Sequence, residues 1–587
     1  MIRILLSIGI VLLVTSCSEN LTNDLDIHDI QGCSHISPFN GKNVRNIEGV
    51  VTHKYDNGFS MQSITPDNVP CTSEGIFVFT GDYSEVMPGE LVNVNGKIVE
   101  FVAGKTANFN LSRTELHNPI ITIISSGIEM PMPIRIGEGS GRRPYTVIED
   151  DQLSQFDIES DGLDYYESLE FMLIEVKDGL VVGPRNQFNE VVILPTSEIS
   201  QNLTSHSGAL IGSEIDLNPE KIMVKLPTYF DQQVNLGDST TSSMIGIMDY
   251  SYGNYKIFTV NDISFQTKNN FYELFQRNEQ KLTIASYNLE NLSLYDNKSR
   301  FSAIAKQIIQ SMDSPDILVL HEVMDDSGTV DDGIVKASKT IKLLVDEILK
   351  KGGPTYYFSD NPPENNQDGG IDGGNIRTII LYRIDRGLLL ENPDQMLAGI
   401  SYSDGYFSIS KNPFRFGTSA EAFFTARKPA IWLFRQNEFQ FFVVGVHLTS
   451  QGANSPLWGS QQPQLKPEEE KRIEQARIVS VFTSRIISQD PNVPIFIAGD
   501  MNDNPWSKTL KALEGEEFVN CGVLDESNEQ YSYIFEGIAQ QLDYIFLNKS
   551  QIDIHTNCQF IHMNTFYDAA KQISDHDAVI AEIVLER

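Results

Sequence analysis

At Lys281 the texture of the chain changes, and that boundary constrains the fold more than any other feature of the sequence. Upstream, from Ile27 to about Phe275, short segments rich in Val, Ile, Thr and Phe alternate with Gly, Asn, Asp and Pro; residues 50–53, 76–80, 91–101, 171–176 and 190–194 are examples. Short strands at such close spacing predict small β-barrels or sandwiches. Downstream, strand-like runs at 282–287, 316–323, 376–383, 441–448, 493–498, 542–547 and 578–585 alternate with helical patterns. A helix capped by Ser299 would place Phe301, Ile304, Ile308 and Met312 on one face, and a second covers 334–350. A third starts near Pro467, with Glu468, Glu469 and Glu470 in the first turn, where they suit the helix dipole. This half therefore predicts a layered α/β domain. At 587 residues the chain exceeds one hydrophobic core, so two to four domains are expected.

Residues 1–16 carry Arg3, an apolar run at 4–14 and then Thr15 and Ser16 ahead of Cys17. That is the pattern of a signal peptide, too short to span as a stable transmembrane helix. Val14-Thr15-Ser16-Cys17 resembles the bacterial lipobox, which implies cleavage before Cys17 and a lipid on its thiol; an ordinary secretory signal is the alternative. Residues 17–26 are polar and acidic and read as a tether. The expected location is the cell envelope, facing periplasm or exterior, with Ser18 after Cys17 favouring the outer membrane. Membrane contact is expected only through the anchor, and no protein partner is predicted. Of the remaining cysteines, the pairings Cys33 with Cys71 and Cys521 with Cys558 stay within the domains outlined below, free buried thiols being the alternative. No Cys/His spacing suggests zinc.

The 79 Asp and Glu against 44 Lys and Arg give a formal net charge of −35, which argues against a generic phosphate-binding surface. The region from 281 onward holds 42 acids and 27 bases, whereas residues 17–280 hold 37 and 16, so the β-rich half is the more acidic. The informative residues are the polar ones at strand ends. Asn288 and Glu290 follow the first strand of the α/β half, and His321 and Glu322 follow Ile317 to Leu320. His447 ends another, Asp500, Asn502 and Asp503 follow a third, Asp543 opens a fourth, and Asp575 and His576 precede the last. Strand ends converge at a sheet edge, so these groups can meet in one cleft. Carboxylate and amide oxygens suit Mg²⁺, and a divalent ion beside His and Asp can stabilise phosphoryl charge, activate water and protonate a leaving oxygen. Singly, each has a structural reading: Asp503-Asn504-Pro505 as a turn, His447 as a core histidine, Asp575 as a helix cap.

The series Ser286-Tyr287-Asn288-Leu289-Glu290-Asn291, Pro315 through Val323 with His321-Glu322, Val446-His447-Leu448, Gly499-Asp500-Met501-Asn502-Asp503, Leu542-Asp543-Tyr544 and Ser574-Asp575-His576-Asp577 resembles the endonuclease/exonuclease/phosphatase superfamily, block by block in order. The resemblance covers 280–587 and implies a four-layered α/β sandwich related to deoxyribonuclease I. It implies Glu322 as the principal Mg²⁺ ligand with Asn288 beside it and Asp575 completing the site; Mn²⁺ or Ca²⁺ are alternative ions. Asp500 would orient or deprotonate the attacking water and Asn502 would hold the phosphate. His576 and His447 would contact the scissile phosphate, and Asp543 would orient a histidine or the phosphate site. Two departures stand out. His321 occupies a position where members commonly have Gln, and Lys428 in Arg427-Lys428-Pro429-Ala430 stands where deoxyribonuclease I has a Glu supporting a catalytic His. The proton-donor role therefore rests on His576 more than on His447.

Upstream, segments such as 27–32, 49–52, 58–62, 72–78, 89–96 and 246–256 resemble the OB-fold module and pre-catalytic segment of bacterial extracellular nucleases. The architecture expected is thus multidomain: an OB-fold-like domain at 27–112, a second β-rich domain at 113–275 and the catalytic domain at 280–587. OB-folds stack bases on aromatics over a basic groove; here the basic groove is missing, so Phe59, Phe77, Phe79 and Tyr83 read as core. Arg142-Arg143 reads as a surface loop, and the acidic stretches 325–332 and 360–372 do not fit EF-hand spacing. The function expected is metal-dependent phosphodiester hydrolysis by a surface-anchored or extracellular nuclease with DNA and/or RNA as substrate. The alternatives are a phosphodiesterase or phosphatase acting on phospholipid or inositol phosphate, and a non-catalytic surface lipoprotein that binds nucleic acid.

Overall fold

A computed structural model describes residues 25–585 apart from 83, 105–107, 138–143, 145, 197–201, 205, 269–273, 526 and 552–556. The signal segment 1–16, Cys17, most of the 17–26 tether, Tyr83 and the Arg142-Arg143 pair lie outside the described residues. Among the described residues no helix is long and apolar enough to cross a membrane.

The first region is a closed five-stranded barrel of Asn43–Tyr55, Gly58–Gln62, Gly75–Phe79, Glu90–Val102 and Ser112–Ser126. The third strand pairs in parallel with the fifth, and the fourth closes the barrel on the first. Ile47, Val51, Phe59, Met61, Ile76, Val78, Val92, Val94 and Leu116 fill the interior. The fifth strand begins where the sequence boundary at 112 was expected, so the barrel runs on to Ser126. Polar residues at 112–115 and the Asn118-Pro119 pair precede its apolar run at 120–124 and read as a boundary short of it. The helix Ile27–Gln31 lies against the barrel, and Cys33 and Cys71 are joined, with Cα atoms 5.1 Å apart.

The second region is a nine-stranded sheet running in sequence from Ile134–Ile136 to Phe265–Gln266, with its own core around Ile174, Val191, Val224, Met248 and Ile257. From Leu282 the chain builds two facing sheets. The first has the order Tyr357–Ser359, Arg377–Tyr382, Ile317–Val323, Leu282–Leu292, Ala578–Ile583, Asn557–Ile561. The second has the order Leu388–Leu390, Ala430–Gln436, Phe439–His447, Ile495–Asp500, Asp543–Asn548, Phe518–Asn520. Their inner faces meet in a layer holding Ile284, Ile317, Val319, Trp432, Phe434, Phe441, Phe496 and Val579, all fully buried. Each such side chain contributes about 1.5–3 kcal/mol relative to exposure.

Helices Lys298–Lys306 and Ser338–Lys350 cover the outer face of the first sheet, and Glu469–Ile487 and Lys508–Glu514 that of the second, giving four layers, α/β/β/α. The first of these helices is capped by Asn297, whose Oδ1 accepts from Ser299 N–H at 3.1 Å; Ser299 is therefore inside the helix rather than its cap. The helix passes into a π-turn at Gln307–Ser311, which keeps Ile308 and Met312 on the buried side. The second helix begins at Ser338, four residues later than its apolar pattern suggested.

The three regions share buried seams. Trp458, from the loop after His447, sits in the core of the second region, edge-on to Tyr166 and Tyr255. At the barrel seam Glu170 is almost wholly buried; its Oε2 accepts from Thr114 N–H at 3.1 Å and Gln31 Nε2 at 3.2 Å, while Oε1 has no partner. Burial, reinforced by the nearby Glu167 and Glu100 carboxylates, pushes its carboxyl well above the usual range. The folded state therefore disfavours the ionised form, a cost absent below the unfolded value near 4.5 and growing as pH rises above it. Glu170→Gln is expected to raise the unfolding midpoint at pH 8 and leave it unchanged at pH 4, as measured by thermal denaturation.

Candidate active site

Each sheet has one central parallel pair of strands, and the paired carboxyl ends point to the same edge of the sandwich. In the first sheet that edge carries Asn288, in register with His321, and then Glu322. In the second, His447 pairs with Asp500, which in turn pairs with Asp543 at the start of the neighbouring antiparallel strand. The turn Ser574-Asp575-His576 leads into Ala578–Ile583 and arrives at the same edge from the other side.

The backbone bends to deliver these groups. Register breaks between Asn288 and Leu292 and between Leu320 and Val323, and Glu290, Asn291 and Glu322 take left-handed φ values of 45°, 58° and 57°. Asn502 does so at 51°. Non-glycine residues held there carry strain of order 1–3 kcal/mol, which clusters at functional sites. Gly499 is required for a different reason: a Cβ there would lie 1.7 Å from the Val446 carbonyl oxygen and 3.2 Å from His321 Cε1.

Asp500 stands at the centre. Its Oδ1 accepts from Asn502 N–H at 2.8 Å, and Oδ2 accepts from Asn288 Nδ2 at 3.1 Å. The same Oδ2 lies 3.5 Å from His447 Nε2 and 3.9 Å from His576 Nε2. Asn288 Nδ2 also reaches Glu322 Oε1 at 3.3 Å, and Glu322 Oε2 accepts from Asn291 N–H at 3.0 Å. His576 Nδ1 bonds Asp543 Oδ2 at 2.6 Å, and its Nε2 lies 4.0 Å from Asp575 Oδ1. Ser574 Oγ donates to the Asn288 carbonyl and accepts from His576 N–H, fixing the turn against the neighbouring strand of the first sheet.

The electrostatics divide the two histidines. Burial alone would lower His576, but the Asp543, Asp575 and Asp500 carboxylates override it and hold the imidazolium well above its ordinary range. Burial lowers His447 far below it, helped by the charges of Arg427 and His576, so His447 is neutral. Burial likewise pushes Asp500 up to about 7, opposed by His576 and assisted by Asp543. His321 is wholly buried and neutral, bonding Ser286 Oγ and Thr378 Oγ1, so it supports the strand behind Glu322 without facing the cleft.

The structure thus brings Asn288, Glu322, His447, Asp500, Asp543 and His576 into direct contact. Asp575 joins them only through His576, with its side chain 43% exposed. Asn502 Nδ2 donates to the Leu448 carbonyl at 3.2 Å. Asp503 is bound to Arg472 and Thr509 and belongs to the scaffold. Lys428 pairs with Asp368 at 3.1 Å, and its neighbour Arg427, bonded to the Leu448 carbonyl, supplies positive potential felt by Glu322 and Asp500. Two residues were not visible as site residues in the sequence. Arg427 is one; the other is Tyr533, whose ring lies 4.9 Å from that of His576 on the short hairpin Tyr533–Phe535 and Ile538–Gln540.

The second region holds that hairpin in place. Ala539 N–H donates to the Leu210 carbonyl, and Asn254 Nδ2 donates to Glu536 at 2.7 Å. Glu529 accepts from His206 N–H, Ser207 N–H and Ser207 Oγ. Tyr531 stacks on His562, which bonds Asp577 next to His576.

The donor set fits a hard divalent cation. Glu322, Asp575 and Asp500 are carboxylates, Asn288 adds an amide, and among the described residues none of the three acids pairs with Lys or Arg. Mg²⁺ needs only one or two carboxylates because it retains waters.

The Endonuclease/Exonuclease/phosphatase family model matches residues 285–576, and a domain of unknown function, DUF8508, matches 135–269. No curated protein matches the chain. Among solved structures, truncated Caenorhabditis elegans TDP2 is similar at 16% identity, covering 52% of this chain and 97% of its own, with a TM-score of 0.32. An endonuclease/exonuclease/phosphatase from Bacteroides vulgatus is 14% identical over 52% of this chain and 99% of its own, with a TM-score of 0.33. The human Nocturnin catalytic domain, solved with a bound sulfate anion, is 15% identical over 53% of this chain and 96% of its own, with a TM-score of 0.35. Residues 285–576 therefore form a domain of the Endonuclease/Exonuclease/phosphatase family.

Proposed function

We propose that the cleft hydrolyses phosphodiesters with the help of a divalent cation, and that its substrate is nucleic acid, DNA or RNA. The observation that carries this reading is the placement of Asp500 Oδ2 between the Nε2 atoms of His447 and His576, at 3.5 and 3.9 Å, with Asp543 bonded to the other nitrogen of His576 at 2.6 Å. Asp500 Oδ1 is pinned by Asn502 N–H, leaving Oδ2 to take the proton of a water as its oxygen bonds to phosphorus. As the bond from phosphorus to the leaving oxygen breaks, His576 Nε2 gives its proton to that oxygen, and Asp543 keeps the ring oriented. His447, neutral, faces the phosphoryl oxygens as a hydrogen-bonding group. Asn502 holds the phosphate once its amide turns from the Leu448 carbonyl. Glu322 and Asn288, with Asp575 across the cleft, are the residues that would hold the cation, which when bound neutralises charge on the phosphoryl group.

The barrel's strand order supports an OB-like reading of the first region, but Phe59 and Phe77 are buried, so we assign it a scaffolding role rather than base stacking. The lipobox-like segment ending at Cys17 supports a surface-anchored enzyme meeting its substrate outside the cytoplasm.

Plasmid DNA, single-stranded DNA, RNA, sphingomyelin and inositol phosphates, each incubated with Mg²⁺ or with EDTA, test the reading. DNA or RNA cleavage is expected with Mg²⁺, abolished by EDTA and reduced at least about 10⁴-fold in the Asp500→Ala/His576→Ala double variant. Turnover confined to the lipid or inositol substrates would sink the nuclease assignment. Asp543→Asn should keep the fold and KM but lower kcat by about 10²–10⁴. The NMR titration midpoint of the His576 ring should fall with it, and an unmoved midpoint would refute the pairing as the source of its charge.

A further inference from the structure

The segment 146–161, which leads into the helix Gly162–Glu167, gathers acidic side chains. Glu149, Asp151 and Asp161 each offer a carboxylate oxygen to one space, all within 4.8 Å of one another, and Asp161 shares a second such group with Asp157 and Asp164. Asp161 is fully buried; its Oδ1 has no hydrogen-bond partner, and its Oδ2 accepts only a long bond from Asp150 N–H at 3.4 Å. Glu149 Oε2 and Asp157 Oδ1 are buried and unpartnered as well.

The free oxygens do not result from a loose loop. Glu149 Oε1 accepts from Asp151 N–H at 2.7 Å, and Asp151 accepts from Ser154 N–H at 2.8 Å and Gln155 N–H at 3.0 Å, so the backbone fixes both carboxylates. Asp164 is already engaged by His35 at 2.7 Å and by Asp157 N–H at 2.6 Å. Among the described residues no Lys or Arg pairs with Glu149, Asp151, Asp157 or Asp161.

We propose that this loop is a calcium site centred on Asp161, with Glu149 and Asp151 as ligands and Asp157 closing it from the other side. An all-oxygen set supplied mainly by carboxylates in irregular geometry suits Ca²⁺, which takes six to eight oxygens flexibly. Mg²⁺ demands an octahedron and keeps its waters, and Zn²⁺ prefers nitrogen and sulfur donors. A cation here would lock the loop that leads into Gly162–Glu167, next to Trp458 and the seam with the catalytic domain.

Calorimetric titration of CaCl₂ into the full chain carrying Glu322→Gln, which silences the catalytic cation site, tests the proposal. One saturable event at or below millimolar Ca²⁺ is expected, with a raised unfolding midpoint that MgCl₂ does not reproduce. Asp161→Asn and Glu149→Gln should weaken it at least about tenfold. Should Asp161→Asn fail to fold, the half-buried Asp151→Asn decides: binding about tenfold weaker supports the site, and unchanged binding overturns it. Absence of any Ca²⁺ event in the Glu322→Gln protein overturns it outright.

Discussion

The groups in the catalytic cleft are divided between two sheets, so their separations are set by how the inner faces of those sheets pack. Asn288, Glu322 and the Asp575-His576 turn belong to the first sheet, while His447, Asp500 and Asp543 belong to the second. Between them lies one apolar layer in which Trp432, Phe434, Phe441 and Phe496 fill the space opposite Ile284, Val319 and Val579. Protein interiors are packed at crystal density, so a change of volume in that layer moves one half of the site against the other. A misplacement of about 1 Å is enough to lose about 10²-fold in rate. The bond from Asn288 Nδ2 to Asp500 adds a polar link across the same gap.

The second region forms a third wall. Its backbone at Leu210 and its Ser207 hold the chain around Ala539 and Glu529, and through Tyr531, His562 and Asp577 that hold reaches the residue next to His576. In return the catalytic domain lends Trp458 to the core of the second region. The exchange of side chains in both directions explains why neither region presents a free face at this seam. It also explains why Tyr533, on a hairpin of only three residues a side, lies against the His576 ring.

What could be read in the sequence was whatever each segment encodes locally. Ile317 to Leu320 is buried on both faces and so is a continuous apolar run, and the polar residues that end such runs mark the functional edge. Features that arise from long-range pairing were hidden. The barrel strand Ser112–Ser126 exposes much of its length, and its apolar run at 120–124 comes only after a polar stretch and Asn118-Pro119, which read as a break. The left-handed turn at Glu322 comes from a register break with its neighbour, and Asn297 rather than Ser299 caps its helix because side-chain geometry chose between two good capping residues. Arg427 looked like a flank of Lys428, and only the approach of the segment ahead of Ala430–Gln436 to Asp500 gives it an electrostatic role.

Cys521 follows Phe518–Asn520, the edge strand of the second sheet, while Cys558 lies in Asn557–Ile561, the edge strand of the first. Their bond is therefore a clasp between the two halves of the sandwich along its open side, built into the same apolar layer that spaces the catalytic groups. Cutting that bond would leave the spacing of the two sheets at this edge to apolar packing alone.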